Sequence, residues 1–323
     1  MKPPNVILLL KSLAKRLPHW LLLRLFHAHY LHGQAKLARD VACFARLPLL
    51  ETLNLGQLKT SETVFVLGSG WSINDIAEER WKIIARHDSI GFNFWPVHAF
   101  VPRIFVFENL LYEEEKVRQF RFRMLKKVME QRAEDYANTV KIVTEVQPPS
   151  MRQLATELSE KFRKNLYVGY TAPVIARTEL ELTAGLDYLK KRGEFEISNG
   201  VPWLFKYGGS VIAMLSIAVR MGYKRIVLCG IDLGKQDYFY QHRERYPESA
   251  DWEFAPRRDP HLTTRRLPWM IPAQRVIYEF NRRLLEPAGI ALFVENRSST
   301  LFPQLPEAPK ALFKELAGGS PAV

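Results

Sequence analysis

Cysteine is nearly absent: the 323 residues contain only Cys43 and Cys229, each within an apolar stretch. That excludes a disulfide scaffold and a cysteine-built zinc site, and it fits a reducing cytosolic compartment. Long hydrophobic runs are missing too. Val6–Leu10 is stopped by Lys11, and Lys15, Arg16, Pro18 and Arg24 break up the next apolar residues, whereas a membrane span needs roughly 20 apolar residues. No small-residue cleavage site comes after that run, so a secretory leader is not expected. The chain has no Asp-x-Asp pair and no G-x-x-x-x-G-K-[ST] phosphate loop. It shows no RNA-binding or helix-turn-helix signature, and no internal repeat. Acidic residues are scarce at the start. Residues 1–50 hold eight Lys/Arg against one acid, Asp40, which is +7 of the formal +12.

The chain as a whole has the make-up of a soluble globular protein, 47% apolar and 25% charged. Its length suits one large α/β domain, or one domain plus a smaller one. The first 56 residues read as a basic amphipathic helical extension, Leu, Trp and Phe interleaved with Lys and Arg. Such a helix either lies on a membrane surface or packs its apolar stripe on the main domain with its basic face in water. A second basic group, Arg257, Arg258, Arg265, Arg266, Arg275, Arg282 and Arg283, lies far downstream, and Glu113-Glu114-Glu115 is acidic.

Short apolar runs predict strands at 63–67, 89–92, 104–107, 140–144, 225–229 and 291–294. Helical patterns cover 73–86, 111–132, 210–221 and 272–286. This alternation predicts a mostly parallel sheet with helices on both faces. A tail from Pro303 is expected to fray after one short helix. Ligands of such sheets bind beyond the carboxyl ends of the strands, so the residues there carry the functional reading. The first strand ends in Gly68-Ser-Gly-Trp-Ser72, either a phosphate-cradling turn or a structural turn with Ser72 as a helix N-cap. It is no dinucleotide fingerprint, because Ile73 stands at the third glycine position. The second strand ends in Gly91-Phe-Asn93 and the third in Phe107-Glu-Asn109. A carboxamide both donates and accepts, as reading a base or sugar hydroxyl requires, and a loop asparagine also tolerates left-handed backbone. Gly208-Gly-Ser210 opens an apolar helix that leads through Gly222-Tyr-Lys-Arg-Ile-Val-Leu-Cys-Gly-Ile-Asp232. Tyr238, Tyr240, His242 and Asp259-Pro-His261 lie downstream.

Together, from about Thr63 to Phe302, these motifs resemble the bacterial sialyltransferases of glycosyltransferase family 42. The resemblance implies a Rossmann-like domain over 57–302 with a lid at about 234–268, a CMP-activated sugar acid as donor, and no metal or other cofactor. Gly68, Ser69, Gly70, Ser72, Asn93, Asn109, Ser210 and Asp232 become the donor-binding residues, and His261 the general base. Ser69 stands where the family has asparagine. Gly234 stands in place of the nearer of two phosphate-binding tyrosines, which leaves Tyr238 or Tyr240 for the leaving group.

The implied reaction is inverting transfer of sialic acid, another nonulosonic acid or Kdo to a hydroxyl of a bacterial surface glycan or glycolipid. The enzyme would act in the cytoplasm at the inner membrane face, held by its N-terminal helix, with no nucleic-acid partner and homo-oligomerisation open. Without an Asp-x-Asp, tyrosine hydroxyls, arginines and helix N-termini must carry the departing phosphate's charge. Two alternatives stand beside this. One is an ATP- and magnesium-dependent enzyme resembling pterin pyrophosphokinases, with Asp232, Asp237 and Asp259 as candidate ligands. The other is a non-enzymatic membrane or nucleic-acid binder, suggested by the charge.

Overall fold

All residues of Thr63–Leu67, Ile104–Glu108 and Val140–Thr144 are buried, although successive side chains of a strand point to opposite faces. A sheet buried on both sides must be covered on both sides, the condition under which parallel strands read as unbroken apolar runs. The computed structural model describes residues 18–108, 115–146, 153–173, 176–196, 203–207, 209–234, 237–249, 252 and 271–318, without the side chains of 26, 27, 115–121 and 173.

In chain order, α1 (His19–Ala45) is followed by β1 (Thr63–Leu67), α2 (Glu78–Ile84), β2 (Asp88–Phe92), β3 (Ile104–Glu108), α3 (Glu115–Gln131) and β4 (Val140–Thr144). Next come α4 (Glu160–Arg163), β5 (Leu166–Val168), β6 (Thr171–Pro173), α5 (Glu179–Lys191) and β7 (Leu204–Lys206). The chain closes with α6 (Ser210–Arg220), β8 (Arg225–Cys229), α7 (Ala273–Phe280), β9 (Ala291–Val294) and α8 (Lys310–Gly318). Seven strands form one sheet in the order β5-β4-β3-β2-β1-β8-β9, and β6 pairs with β7 in a second, two-stranded sheet. Every pairing is parallel.

β1 is the pivot. The chain first winds outward on one side, β1 to β5, and then returns to place β8 and β9 on the other. The crevice between the carboxyl ends of β1 and β8 is therefore the topological switch point of a Rossmann-like α/β fold. β8 pairs with β1 along its whole length, Thr63↔Arg225 to Leu67↔Cys229, so the two strands end level with each other.

α6 feeds β8 from behind. Val211 through Arg220 are all buried, as expected of a helix that is apolar around its circumference. Its last residue is an arginine satisfied in the core: Arg220 Nε donates to Glu194 O at 2.7 Å, and its guanidinium lies 5.0 Å from the Trp203 ring centre. Burial lowers the Arg220 pKa to about 10.

Two elements depart from the sequence expectation, and the tail carries the one short helix expected of it, α8. The helix expected over 73–86 is a 3-10 turn, Trp71–Asp75, an extended break at Ile76 and Ala77, and then α2. Ser72 thus caps no α-helix. The helix expected over 272–286 is α-helical only to Phe280; it continues as a wider π turn, Asn281–Leu285, and a 3-10 turn, Glu286–Ala288. The tail is built in: Val294 N donates to Pro306 O at 3.0 Å, and Leu312, Phe313 and Leu316 of α8 are buried. Arg80 of α2 lies 3.4 Å from the Phe313 ring centre, a cation–π contact that fixes α8 against α2.

Candidate active site

Two loops cross at the switch point, and their glycines are explained by that crossing. A Cβ on Gly68 would sit 2.4 Å from Gly230 O, and one on Gly70 2.4 Å from Asp232 Oδ2. Gly230 itself has φ +65°, and a Cβ there would meet Ile73 Cγ1 at 2.4 Å. The amides of Gly68 and Gly70 donate to Cys229 O and Gly230 O, both at 2.7 Å. Their N–H groups are therefore engaged by the β8 loop. Ser69, half-buried between them, donates no backbone hydrogen bond among the described residues, while its carbonyl accepts from Phe239 N at 3.1 Å. Of the amides at 68–70, that of Ser69 is the one left unengaged among the described residues.

Ser72 and Asp232 face each other. Ser72 N donates to Asp232 Oδ2 at 3.0 Å, and Ser72 Oγ donates to Oδ1. The carboxylate is only 4% exposed, and burial raises its pKa despite the Ser72 hydrogen bonds that favour the charged form. This pair fastens the 68–72 turn to the end of β8, so both residues shape the crevice from behind.

Asn93 joins three elements. It has φ +52°, a left-handed conformation that asparagine tolerates better than most residues. The bend turns its side chain across the end of β2. Asn93 Oδ1 accepts from Glu108 N at 3.2 Å, and Nδ2 lies 3.5 Å from Ser210 Oγ. Ser210 is the first residue of α6, whose N-terminal turn faces the same crevice.

Tyr238 and Tyr240 reach this place from the segment after β8. Tyr238 pairs with Gly70 in an antiparallel bridge, and the two tyrosine rings stack at 5.0 Å. Tyr240 also packs on Phe94, 5.5 Å away, the residue after Asn93. Both tyrosines therefore border the turn and the asparagine. Among the predicted site residues, Gly68, Ser69, Gly70, Ser72, Asn93, Ser210, Asp232, Tyr238 and Tyr240 are thus brought into one crevice. Asn109, His261 and the 257–266 basic run lie outside the described residues.

Three features of the site carry no signal in the sequence. His242 stacks on Trp71 at 5.6 Å and 17°, at the mouth of the crevice. Its ring makes no hydrogen bond among the described residues, and it is half-exposed. A wall of Trp95, His98, Phe239 and Tyr246 holds the segment that follows β8, with His98 stacked on Trp95 at 4.9 Å. Burial, aided by Arg245 and Arg132, lowers the His98 pKa to about 3. Its Nδ1 accepts from Phe100 N at 3.0 Å, so His98 is a neutral structural group.

The third feature is a buried ionic cluster. Lys206 of β7 lies 3.0 Å from Glu108 and also bonds Glu145, whose carboxylates are each 6% exposed. Burial raises the Glu145 pKa, opposed by Lys206. Burial opposes the charge of Lys206 as well, but the two carboxylates outweigh it and its pKa is raised. The cluster ties the second sheet to the ends of β3 and β4, four residues before Ser210. Nothing in the sequence places Glu145 near Lys206, because their meeting is set by the path of β6 and β7.

The described residues contain no group of three His, Cys, Asp or Glu side chains placed to hold a metal ion. No protein-family model matches the chain, and no curated protein does. Among solved structures it is similar to one described as the sialyltransferase CstII from Campylobacter jejuni in complex with a substrate analogue, cytidine-5'-monophosphate. The identity is 12% and the TM-score 0.36, over 77% of this chain and 86% of that one.

Proposed function

We propose that the chain is a metal-independent, inverting glycosyltransferase that moves a sugar acid from a CMP-activated donor to a glycan hydroxyl. The observation that carries this reading is Asn93. Its strained backbone holds a carboxamide between Ser210 and the end of β3, at the switch point where nucleotides bind in folds of this kind. A half-buried donor–acceptor group there suits a nucleoside or a sugar hydroxyl. Ser69 N–H and the first turn of α6 offer hydrogen bonds and positive dipole to one phosphate and one carboxylate. In this reading Tyr238 and Tyr240 donate their hydroxyls to the phosphate as it leaves, charge-assisted contacts in place of a metal. The attacking acceptor hydroxyl loses its proton to a histidine, assigned to His261 by the family resemblance. Asn109 is carried over in the same way, toward the cytidine or sugar.

Calorimetric titration in EDTA with CMP, CDP, UDP, ATP and NAD tests the reading. CMP alone is expected to bind. The variant Asn93→Gly keeps the left-handed backbone at no strain and removes only the carboxamide. It is expected to weaken CMP by about tenfold, the scale of one hydrogen bond to a buried partner. Preference for ATP on adding magnesium, or CMP binding unchanged in Asn93→Gly, would overturn the assignment.

A further inference from the structure

Five aromatic rings around the crevice, those of Trp95, Phe239, Tyr240, Tyr246 and Trp252, are at most 5% exposed and pack on one another. Trp71 and His242 differ. Both are half-buried, and their rings lie against each other with centres 5.6 Å apart and planes 17° from parallel. Neither the Trp71 indole N–H nor the His242 ring nitrogens make a hydrogen bond among the described residues.

The polar edges of this pair are not needed to join the two loops that carry it. Phe239 N donates to Ser69 O at 3.1 Å, Asn74 Nδ2 to Phe239 O at 3.2 Å and Arg245 Nη1 to Asn74 O at 2.8 Å. Tyr238 adds its bridge to Gly70. The loops are fastened by these contacts, and the two rings are held in a fixed position with their hydrogen-bonding groups unused.

Trp71 stands between Gly70 and Ser72, in the turn that borders the proposed phosphate, and His242 follows Tyr240 by two residues. A molecule resting on the pair is therefore next to the leaving group. The charged side chains within four residues of either ring are Asp75 and Glu244 against Arg243 and Arg245, all exposed. This rim has no net charge and gives a nucleotide phosphate no preference, and the base-reading carboxamide is already that of Asn93. An uncharged pyranose suits the place better. The C–H hydrogens along one face of such a sugar meet the negative face of an aromatic ring. Its hydroxyls both donate and accept, as the indole N–H, the imidazole and a rim of mixed charge require.

We propose that Trp71 and His242 form the platform for the acceptor, a neutral pyranose whose attacking hydroxyl is turned toward the donor. The proposal deepens the transferase reading and rests on it.

The test is saturation-transfer NMR of the full chain, with CMP present, against methyl β-galactoside, methyl β-glucoside and methyl N-acetyl-β-glucosaminide. At least one glycoside is expected to receive saturation, strongest at the C–H protons of one ring face. Trp71→Ala and His242→Ala are each expected to cut that signal about fivefold, the scale of one aromatic contact, and by more than they weaken CMP in calorimetry. Trp71→Phe and His242→Phe keep a ring face and are expected to retain part of the signal. If Trp71→Ala fails to fold, His242→Ala decides. No signal from any of the three glycosides would overturn the proposal, and so would a signal unchanged in the alanine variants. A loss of CMP affinity as large as the loss of sugar signal would assign the pair to the nucleotide and overturn it too. CMP failing to bind wild type while a glycoside still does would instead fall on the transferase reading and leave the sugar site standing.

Discussion

Asp88, where β2 begins, and Asp232, where β8 ends, are both buried carboxylates, 1% and 4% exposed, but their surroundings differ. Asp88 accepts from Thr60 N and Thr60 Oγ1, both at 2.7 Å, and from Ser61 N at 3.0 Å, with Arg103 Nε at 3.3 Å. Asp232 accepts from both polar groups of Ser72 and has no cation beside it among the described residues. The histidines repeat the contrast. His87 at the amino end has both ring nitrogens engaged, by Ser61 Oγ at 2.8 Å and Leu316 O at 3.2 Å. His242 at the carboxyl end is stacked on Trp71 with its ring nitrogens unbonded among the described residues. Polar side chains at the amino ends close on one another and stitch loops together. At the carboxyl ends some of them stay half-open, held in place by glycine crossings, a left-handed asparagine and an ionic cluster. A rigid frame around unsatisfied groups is what a binding site requires.

Three experiments would break or sharpen that contrast. The largest effect is expected from Lys206→Met, which leaves Glu108 and Glu145 buried without their cation. A loss of about 3–5 kcal/mol is expected in urea unfolding at pH 7. The loss should shrink as the pH falls toward 5, because Glu145, whose pKa burial already raises, can then take up a proton in the folded state. A loss independent of pH would show that the cluster does not carry the frame. Second, Gly230→Ala forces a Cβ into Ile73 on a left-handed backbone and is expected to cost about 1–3 kcal/mol. CMP binding should fall with it, since the same crossing shapes the 68–72 turn; a stable variant with normal binding would mean the loops move independently.

The third experiment concerns His98. Its folded pKa of about 3 lies below the unfolded value of 6.5. Between these values the unfolded chain binds the extra proton, so stability is lost as pH falls from 6.5 toward 3. The slope is at most about 1.4 kcal/mol per pH unit. His98→Gln should reduce that acid sensitivity, measured as the difference in unfolding free energy between pH 7 and pH 4. An unchanged difference would place the sensitivity elsewhere.

Much of the sheet was legible in the sequence. Six of the seven strands of the main sheet fall on the apolar runs expected, since strands buried on both faces need such runs whatever their partners are. β5, β6 and β7 carry no such signal; each spans three residues, and non-local pairing decides them. Candidate groups such as Asn93, Ser210 and Tyr240 were legible as residue types after strands or before a helix. Their partners were not. Ser72 resembles a helix cap because asparagine, aspartate and serine serve that purpose locally, yet its partner is Asp232, 160 residues away.

The chain by itself therefore determined six of the strands, that the candidate residues gather at their carboxyl ends, and that the first helix is basic. These are properties of short-range pattern and composition. Only the tertiary structure decided which loops cross, which polar groups are engaged by a distant neighbour and which stay open. Those outcomes depend on Ångström-scale approach between residues far apart in sequence, where a single missing Cβ or one buried lysine determines what fits.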